Sequence, residues 1–224
     1  MLIPTRIKYY WKNQIALLLV GMIVNLILIA NVKASAEITS PRSLEATAVD
    51  DIVLGSTQAP VIVIEYFSPT CTPCAAVHQK VFPVLKKKYI DTGSITYVMR
   101  EFVGNKQDFD ASLLARCKGD VDSYLKLSEH LLLNQESWAY SKDYREKLFE
   151  VGDKHGISKE QYNSCLNNES KAQILFDHAR LIGTDKDFIG TPSFYINGEL
   201  YQGEYTIKAI SEFLETVLTK EERS

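Results

Sequence analysis

The chain has 224 residues, a formal net charge of −3 at pH 7 and four cysteines. That length fits one domain, or one domain carrying a sub-domain, and can bury a core without staples. An acidic balance with no evident basic face argues against nucleic acid as a partner.

Residues 1–14 carry Arg6, Lys8 and Lys12 and no acid. Ile15 to Ala30 is an apolar run broken mildly by Gly21 and Asn25, and Ala34-Ser35-Ala36 follows just before Glu37. Basic, apolar, then small-x-small is the order of a secretory signal peptide over residues 1–36, cut after Ala36. The other reading is an uncleaved membrane anchor, although the run is short of the ~20 apolar residues a span needs. Under both readings the rest of the chain lies outside the cytoplasm. Without residues 1–36, which hold four cations and no acid, 21 cations face 28 acids, a net −7.

Residues 37–50 are polar and mixed and read as a flexible lead-in. Asp51 to Gly55 reads as a short strand and Ser56 to Pro60 as a turn. Val61-Ile-Val-Ile-Glu-Tyr-Phe67 is a β-branched and aromatic run of strand length. A helix is expected from Cys74 to about Asp91, kinked at Pro83. Lys86-Lys87-Lys88 forms a solvated face near its C-terminus, where cations suit the dipole. Ile95 to Phe102 is the next strand, which completes a βαβ unit. Residues 108–186 have no proline and few β-branched residues. They read as helices near 108–117, 120–135, 141–155 and 158–182, with breaks at Lys118-Gly119, Asn134-Gln135, Gly156 and Asn167-Asn168. Ser158-Lys-Glu-Gln161 fits a capping box. Ser193 to Ile196, then Asn197-Gly198, then Glu199 to Tyr201 is a two-residue hairpin signal. Thr206 to about Lys220 closes the chain as an amphipathic helix.

Cys71-Thr72-Pro73-Cys74 follows the second strand and opens a helix. The first turn of a helix has free N–H groups and a partial positive charge, which favour an anionic thiolate. The thiolate is the attacking species in disulfide exchange. Two cysteines at this spacing can therefore trade electrons as a dithiol/disulfide pair. Cys117 and Cys165 remain. In an oxidising compartment they read as a structural bridge, worth roughly 4 kcal/mol in the loop-entropy picture. The alternative is two free buried thiols. A CxxC motif beside a βαβ pattern reads as thioredoxin-like.

Three segments make the resemblance narrower: Val63-Ile-Glu-Tyr-Phe-Ser-Pro-Thr-Cys-Thr-Pro-Cys74, Gly190-Thr-Pro-Ser-Phe194, and the Asn-Gly hairpin after it. They resemble the DsbA-like branch of the thioredoxin superfamily, the exported bacterial thiol:disulfide interchange proteins, over about residues 51–220. The resemblance implies an α/β thioredoxin fold over 51–107 and 187–224, with an all-helical insertion over 108–186 between the second and third strand regions. It implies Cys71 as exposed nucleophile and Cys74 as buried resolving partner. It places Thr191-Pro192 at a cis-proline position that faces the pair and binds substrate backbone; an ordinary trans turn is the alternative. It puts Glu65 at a buried acidic position. A carboxylate inside an apolar strand is costly without a task, and a desolvated one could move protons for Cys74. Otherwise Glu65 points outward.

The implied activity is introduction of disulfides into reduced secreted or periplasmic proteins, with no cofactor and with reoxidation by a DsbB-like membrane partner. Localisation would be periplasmic, membrane contact would be limited to the leader or that partner, and the chain would be a monomer. One departure matters. These proteins often carry Pro-His between the cysteines, and this chain carries Thr72-Pro73. A possible cationic partner for the thiolate is missing, so isomerase or reductase use of the same site stays open. So does a non-catalytic role as a peptide-binding chaperone. No metal is expected: Cys71-x2-Cys74-x3-His78 lacks the second ligand pair that tetrahedral zinc wants. Ala75 stands where haem attachment needs histidine. His78, four residues past Cys74, is expected on the helix surface, the alternative being that it shares the Cys74 face and tunes that thiol; His130, His155 and His178 are expected as surface or packing residues.

Overall fold

A mixed sheet forms because two apolar strands lie parallel at its centre and shorter strands pair against them. The structure is a computed structural model and describes residues 50–223. The leader and nearly all of the lead-in lie outside the described residues. The strands are β1 (Ile52–Gly55), β2 (Val61–Phe67), β3 (Ile95–Glu101), β4 (Ser193–Ile196) and β5 (Glu199–Leu200), in the order β1-β3-β2-β4-β5. β2 and β3 are parallel, with Val63 opposite Tyr97 and Glu65 opposite Met99. The β1–β3, β2–β4 and β4–β5 pairs are antiparallel. Parallel neighbours need a crossover. Here it is supplied by α1 (Thr72–Lys80), α2 (Phe82–Leu85) and a π-helical turn at Lys86–Ile90.

This crossover corrects the single kinked helix expected from Cys74 to Asp91. The helix begins at Thr72, with Cys71 as its N-cap and Pro73 in the first turn. Proline fits there because that N–H has no helical partner anyway. The first helix stops at Val81, and Pro83 sits in the first turn of the restarted one. A residue without an N–H is tolerated at a restart and not in mid-helix.

Side chains alternate across the sheet. Val63, Phe67, Tyr97 and Met99 belong to the main core with Val77, Val81 and Phe82 of the crossover. Ile64, Tyr66, Val98 and Tyr195 form a second cluster, closed by Ile182. Between β3 and β4 run α3 (Lys106–Ala115), α4 (Val121–Leu133), α5 (Gln135–Trp138), α6 (Tyr144–Lys154), α7 (Lys159–Leu166) and α8 (Glu169–Ile182). The 158–182 stretch is two helices, parted at the expected Asn167-Asn168 break. Asn168 caps α8 through Lys171 N–H, and the Ser158–Gln161 capping box starts α7. Leu127, Leu131 and Trp138 lie in the same cluster as Val77 and Val81, so the inserted helices share the core of the sheet. Helix α9 (Ile207–Glu221) is capped by Thr206 and buries Ile210 and Leu214. Among the described residues no helix is long and apolar enough to cross a membrane.

The β4–β5 hairpin turns on Asn197 (φ 48°) and Gly198 (φ 83°). Left-handed backbone at both positions is the two-residue turn that matches strand twist. Gly198→Ala is expected to lower stability by about 1 kcal/mol, since a Cβ is disfavoured there; thermal unfolding would read this as a drop of a few degrees.

Candidate active site

Capping geometry positions the first cysteine. Cys71 has extended backbone, and its Sγ accepts the Cys74 N–H at 3.1 Å. The same Sγ lies 3.2 Å from the Thr191 carbonyl oxygen. The two sulfurs are 2.33 Å apart and the Cα atoms 5.2 Å. Cys71 is half-buried, and Cys74, facing the core with Val77, is fully buried. The Thr191–Pro192 peptide is cis. Pro192, Thr191 and Pro73 line a groove of about 680 Å³ with Tyr201, Tyr205 and Ile189. Ile189 is 96% exposed, an apolar side chain with no cover at the groove edge.

Glu65 faces the core beneath α1, on the same side of β2 as Val63 and Phe67. It is fully buried. Tyr97 Oη donates to its Oε2 at 2.7 Å, and His78 Nε2 lies 3.1 and 3.0 Å from its two oxygens. Burial first, and then the nearby Glu65 charge, hold the Tyr97 phenol protonated well above its usual range. His78 is therefore a correction: it is a buried partner of the acid, not a surface residue. Its ring stacks on Phe82 at 4.8 Å, and its Nδ1 has no hydrogen-bond partner. The signal was present in the sequence. Cys74, Val77, His78 and Val81 follow the i, i+3, i+4, i+7 spacing of a buried stripe.

The turn before Cys71 is held from outside. Cys71 N–H donates to Ser68 O at 3.0 Å. Asp108 on α3 accepts from Ser68 Oγ at 2.6 Å, Thr70 N–H at 2.9 Å and Gly104 N–H at 3.2 Å. Gln135 on α5 donates from Nε2 to Pro69 O at 2.8 Å and Cys71 O at 2.9 Å. Sequence reasoning missed both residues, because nothing local marks a polar residue that bonds a turn some 40 or 65 positions away. The second cysteine pair is remote from this site in sequence and lies within the helical insertion, Cys117 just past the end of α3 and Cys165 on α7, with their sulfurs 1.92 Å apart. His130 and His155 pack on each other, Nδ1 to Nε2 at 2.9 Å, and His178 is buried between Asp51 and Glu101. Among the described residues no group of three or more His, Cys, Asp or Glu could hold a metal ion.

A CxxC pair that caps a helix against a cis X–Pro loop, on a mixed sheet with helices inserted before that loop, defines a thioredoxin-fold protein. A sequence profile of the thioredoxin family matches residues 47–216, and the chain belongs to that family. A Rickettsia conorii protein named as a protein-disulfide oxidoreductase is 49% identical over 172 residues, covering 77% of this chain and 62% of its own. A Rickettsia typhi protein of the same name is 48% identical over 175 residues, covering 78% and 64%. The chain thus spans a little under two thirds of the length of these relatives. Among solved structures, alpha-DsbA1 of Wolbachia pipientis superposes with a TM-score of 0.75 at 24% identity, covering 81% of this chain and 98% of that one. Oxidised BdbD of Bacillus subtilis gives 0.69 at 23%, covering 78% and 96%.

Proposed function

We propose that this protein is an exported thiol:disulfide oxidoreductase that introduces disulfide bonds into secreted or periplasmic proteins through Cys71 and Cys74. The observation that carries the reading is the helix cap: a half-exposed Cys71 sulfur takes the Cys74 N–H at 3.1 Å, beside a fully buried Cys74. A thiolate at Cys71 inherits that donor and the positive end of α1.

In the oxidised enzyme a substrate thiolate attacks Cys71 Sγ. The Cys71–Cys74 bond breaks and its electron pair leaves on Cys74, which takes up a proton. A second substrate thiolate then attacks the substrate sulfur of the mixed disulfide and Cys71 leaves as a thiolate. The substrate has lost two electrons and the enzyme has gained them. The Glu65–His78–Tyr97 cluster begins one helical turn from Cys74, since His78 is its i+4 neighbour, and Glu65 within it would relay that proton. The Thr191-Pro192 loop and the groove beside it would take an extended substrate segment, with Ile189 and the tyrosines against its apolar side chains.

The rest of the reading follows from export. Residues 1–36 would direct the chain to the periplasm, or anchor it there if uncleaved. A DsbB-like membrane partner would reoxidise Cys71–Cys74, no cofactor would be needed, and the enzyme would act as a monomer. The Cys117–Cys165 bridge would staple the inserted helices.

Direction is decided by the reduction potential of the pair. Equilibration with glutathione should place it near −120 mV for an oxidase, whereas a value near −270 mV would mean a reductase. Refolding of reduced ribonuclease with reoxidation supplied should be accelerated by the wild type and not by Cys71→Ala. Equal activity of that variant would refute the redox reading and favour a peptide-binding chaperone.

A further inference from the structure

We propose that Asp108 and Gln135 are positioning residues that tune the Cys71 thiolate in opposite directions, Gln135 favouring it and Asp108 opposing it. The inference rests on the reading of Cys71 as nucleophile.

Gln135 is only 6% exposed. Both hydrogens of its amide nitrogen are spent on the Cys71 turn, one on Pro69 O and one on Cys71 O. Cys71 O also accepts the first bond of α1, from Ala75 N–H at 3.1 Å. Gln135 therefore orients the very peptide that aims Cys71 Sγ at the Cys74 N–H. A thiolate gains from that donor only while the cap holds its shape, so loss of Gln135 weakens a charge-assisted hydrogen bond.

Asp108 is 1% exposed. Both of its oxygens act only as acceptors, as an ionised carboxylate does. Its three donors are neutral, and among the described residues no Lys, Arg or His forms an ion pair with it. One donor is the Thr70 N–H, in the residue next to Cys71. A buried negative charge beside a forming thiolate disfavours it, and Thr72-Pro73 brings no cation to offset it. The other titratable groups around the pair differ in kind. Tyr140 Oη contacts Thr72 Oγ1 and Thr70 O, and Lys186 and Asp187 line the groove; these three are exposed and water-screened. Glu65, His78 and Tyr97 sit on the Cys74 side of α1. Asp108 is the buried charge on the Cys71 side. Because stabilising the thiolate stabilises the reduced enzyme, the two residues also bias the redox equilibrium with opposite signs.

The test uses the purified chain. Iodoacetamide labelling of reduced Cys71 is followed against pH by peptide mass spectrometry, together with the equilibrium constant against glutathione. Asp108→Asn keeps an acceptor for Ser68 and Thr70 and gives up only the longer Gly104 bond. It should lower the labelling pKa and shift the glutathione equilibrium at least about threefold toward reduced enzyme. Gln135→Met, which keeps shape but no donor, should raise the labelling pKa and shift that equilibrium about threefold the other way; Gln135→Ala should agree in sign. Shifts of the same sign in Asp108→Asn and Gln135→Met, or none beyond error, would overturn the inference while leaving the wild-type reading intact. A wild-type Cys71 that labels like a free cysteine and forms no reversible bond to Cys74 would sink the functional reading itself.

Discussion

Cys71→Ser is expected to abolish thiol–disulfide exchange, with a loss of ~10³-fold or more, the scale on which removal of an attacking nucleophile acts. A serine hydroxyl at the same helix cap would still meet the Cys74 N–H. It is not an anion near neutral pH and cannot form the mixed disulfide, so hydrogen-bonding geometry survives and chemistry does not. Cys74→Ala should fail differently. Its Cys71 can still attack a substrate disulfide, but no second sulfur is present to release the product. Covalent enzyme–substrate adducts should accumulate on non-reducing gels and vanish with dithiothreitol. The contrast follows from burial: Cys74 is fully buried, so outside thiols reach Cys71 first. If Cys71→Ser kept a tenth of the wild-type rate, or if Cys74→Ala trapped nothing, the assignment of roles would be wrong.

The fold was legible where the code is local. Strand composition, the Asn-Gly turn, the Ser158 capping box and the proline-free helical stretch each act over a few residues, and the architecture follows from their order. The sequence places the helix start at Cys74 and the structure at Thr72, because Pro73 sits inside the first turn, a place that suits proline. His78 departs from expectation for another reason. Its spacing put it on the buried stripe of α1, but a histidine there is affordable only with a partner, and Glu65 lies on a different element. The same holds for Asp108, Gln135 and the charged cluster at the end of β3. Each is polar, buried and satisfied by residues far away in sequence, so composition and periodicity carry no trace of the pairing. The leader lies outside the described residues and gains nothing from the structure.

That charged cluster supports the second large effect. Arg116, the residue ending α3, grips Glu101 with Nε at 2.7 Å and Nη2 at 2.6 Å, and donates from Nη1 to Asp50 O at 3.0 Å. Arg100 grips Asp51 in the same two-pronged way, at 2.8 and 2.6 Å. His178 of α8 lies 3.3 Å from Asp51 and 3.7 Å from Glu101, so the end of the sheet is tied to the inserted helices. Arg116→Met leaves the buried Glu101 carboxylate without its cation and should destabilise the fold by about 3–5 kcal/mol. Glu101→Gln with Arg116→Met should recover most of that, because the stranded charge is then gone. Burial alone would push the Glu101 carboxyl up, but the Arg116 charge and the nearby His178 ring outweigh it and bring it down to about 2 from 4.5. A carboxyl depressed in the folded state stabilises fully above its unfolded value. That contribution, about 3 kcal/mol, is lost as pH falls from about 4.5 toward 2. His178 has the opposite sign. Burial lowers it, Asp51 and Glu101 more than compensate and raise it, and its contribution fades only as pH climbs through the raised value. Urea unfolding at a series of pH values separates these effects. The gap between wild type and Arg116→Met should be widest near neutrality and should already narrow above pH 4.5, where the burial-raised carboxyl of the variant regains its proton, and go on narrowing toward pH 2. A gap that stays constant down to pH 2 would mean that the arginine acts through packing, over the Tyr124 ring 5.6 Å away, and not through its charge.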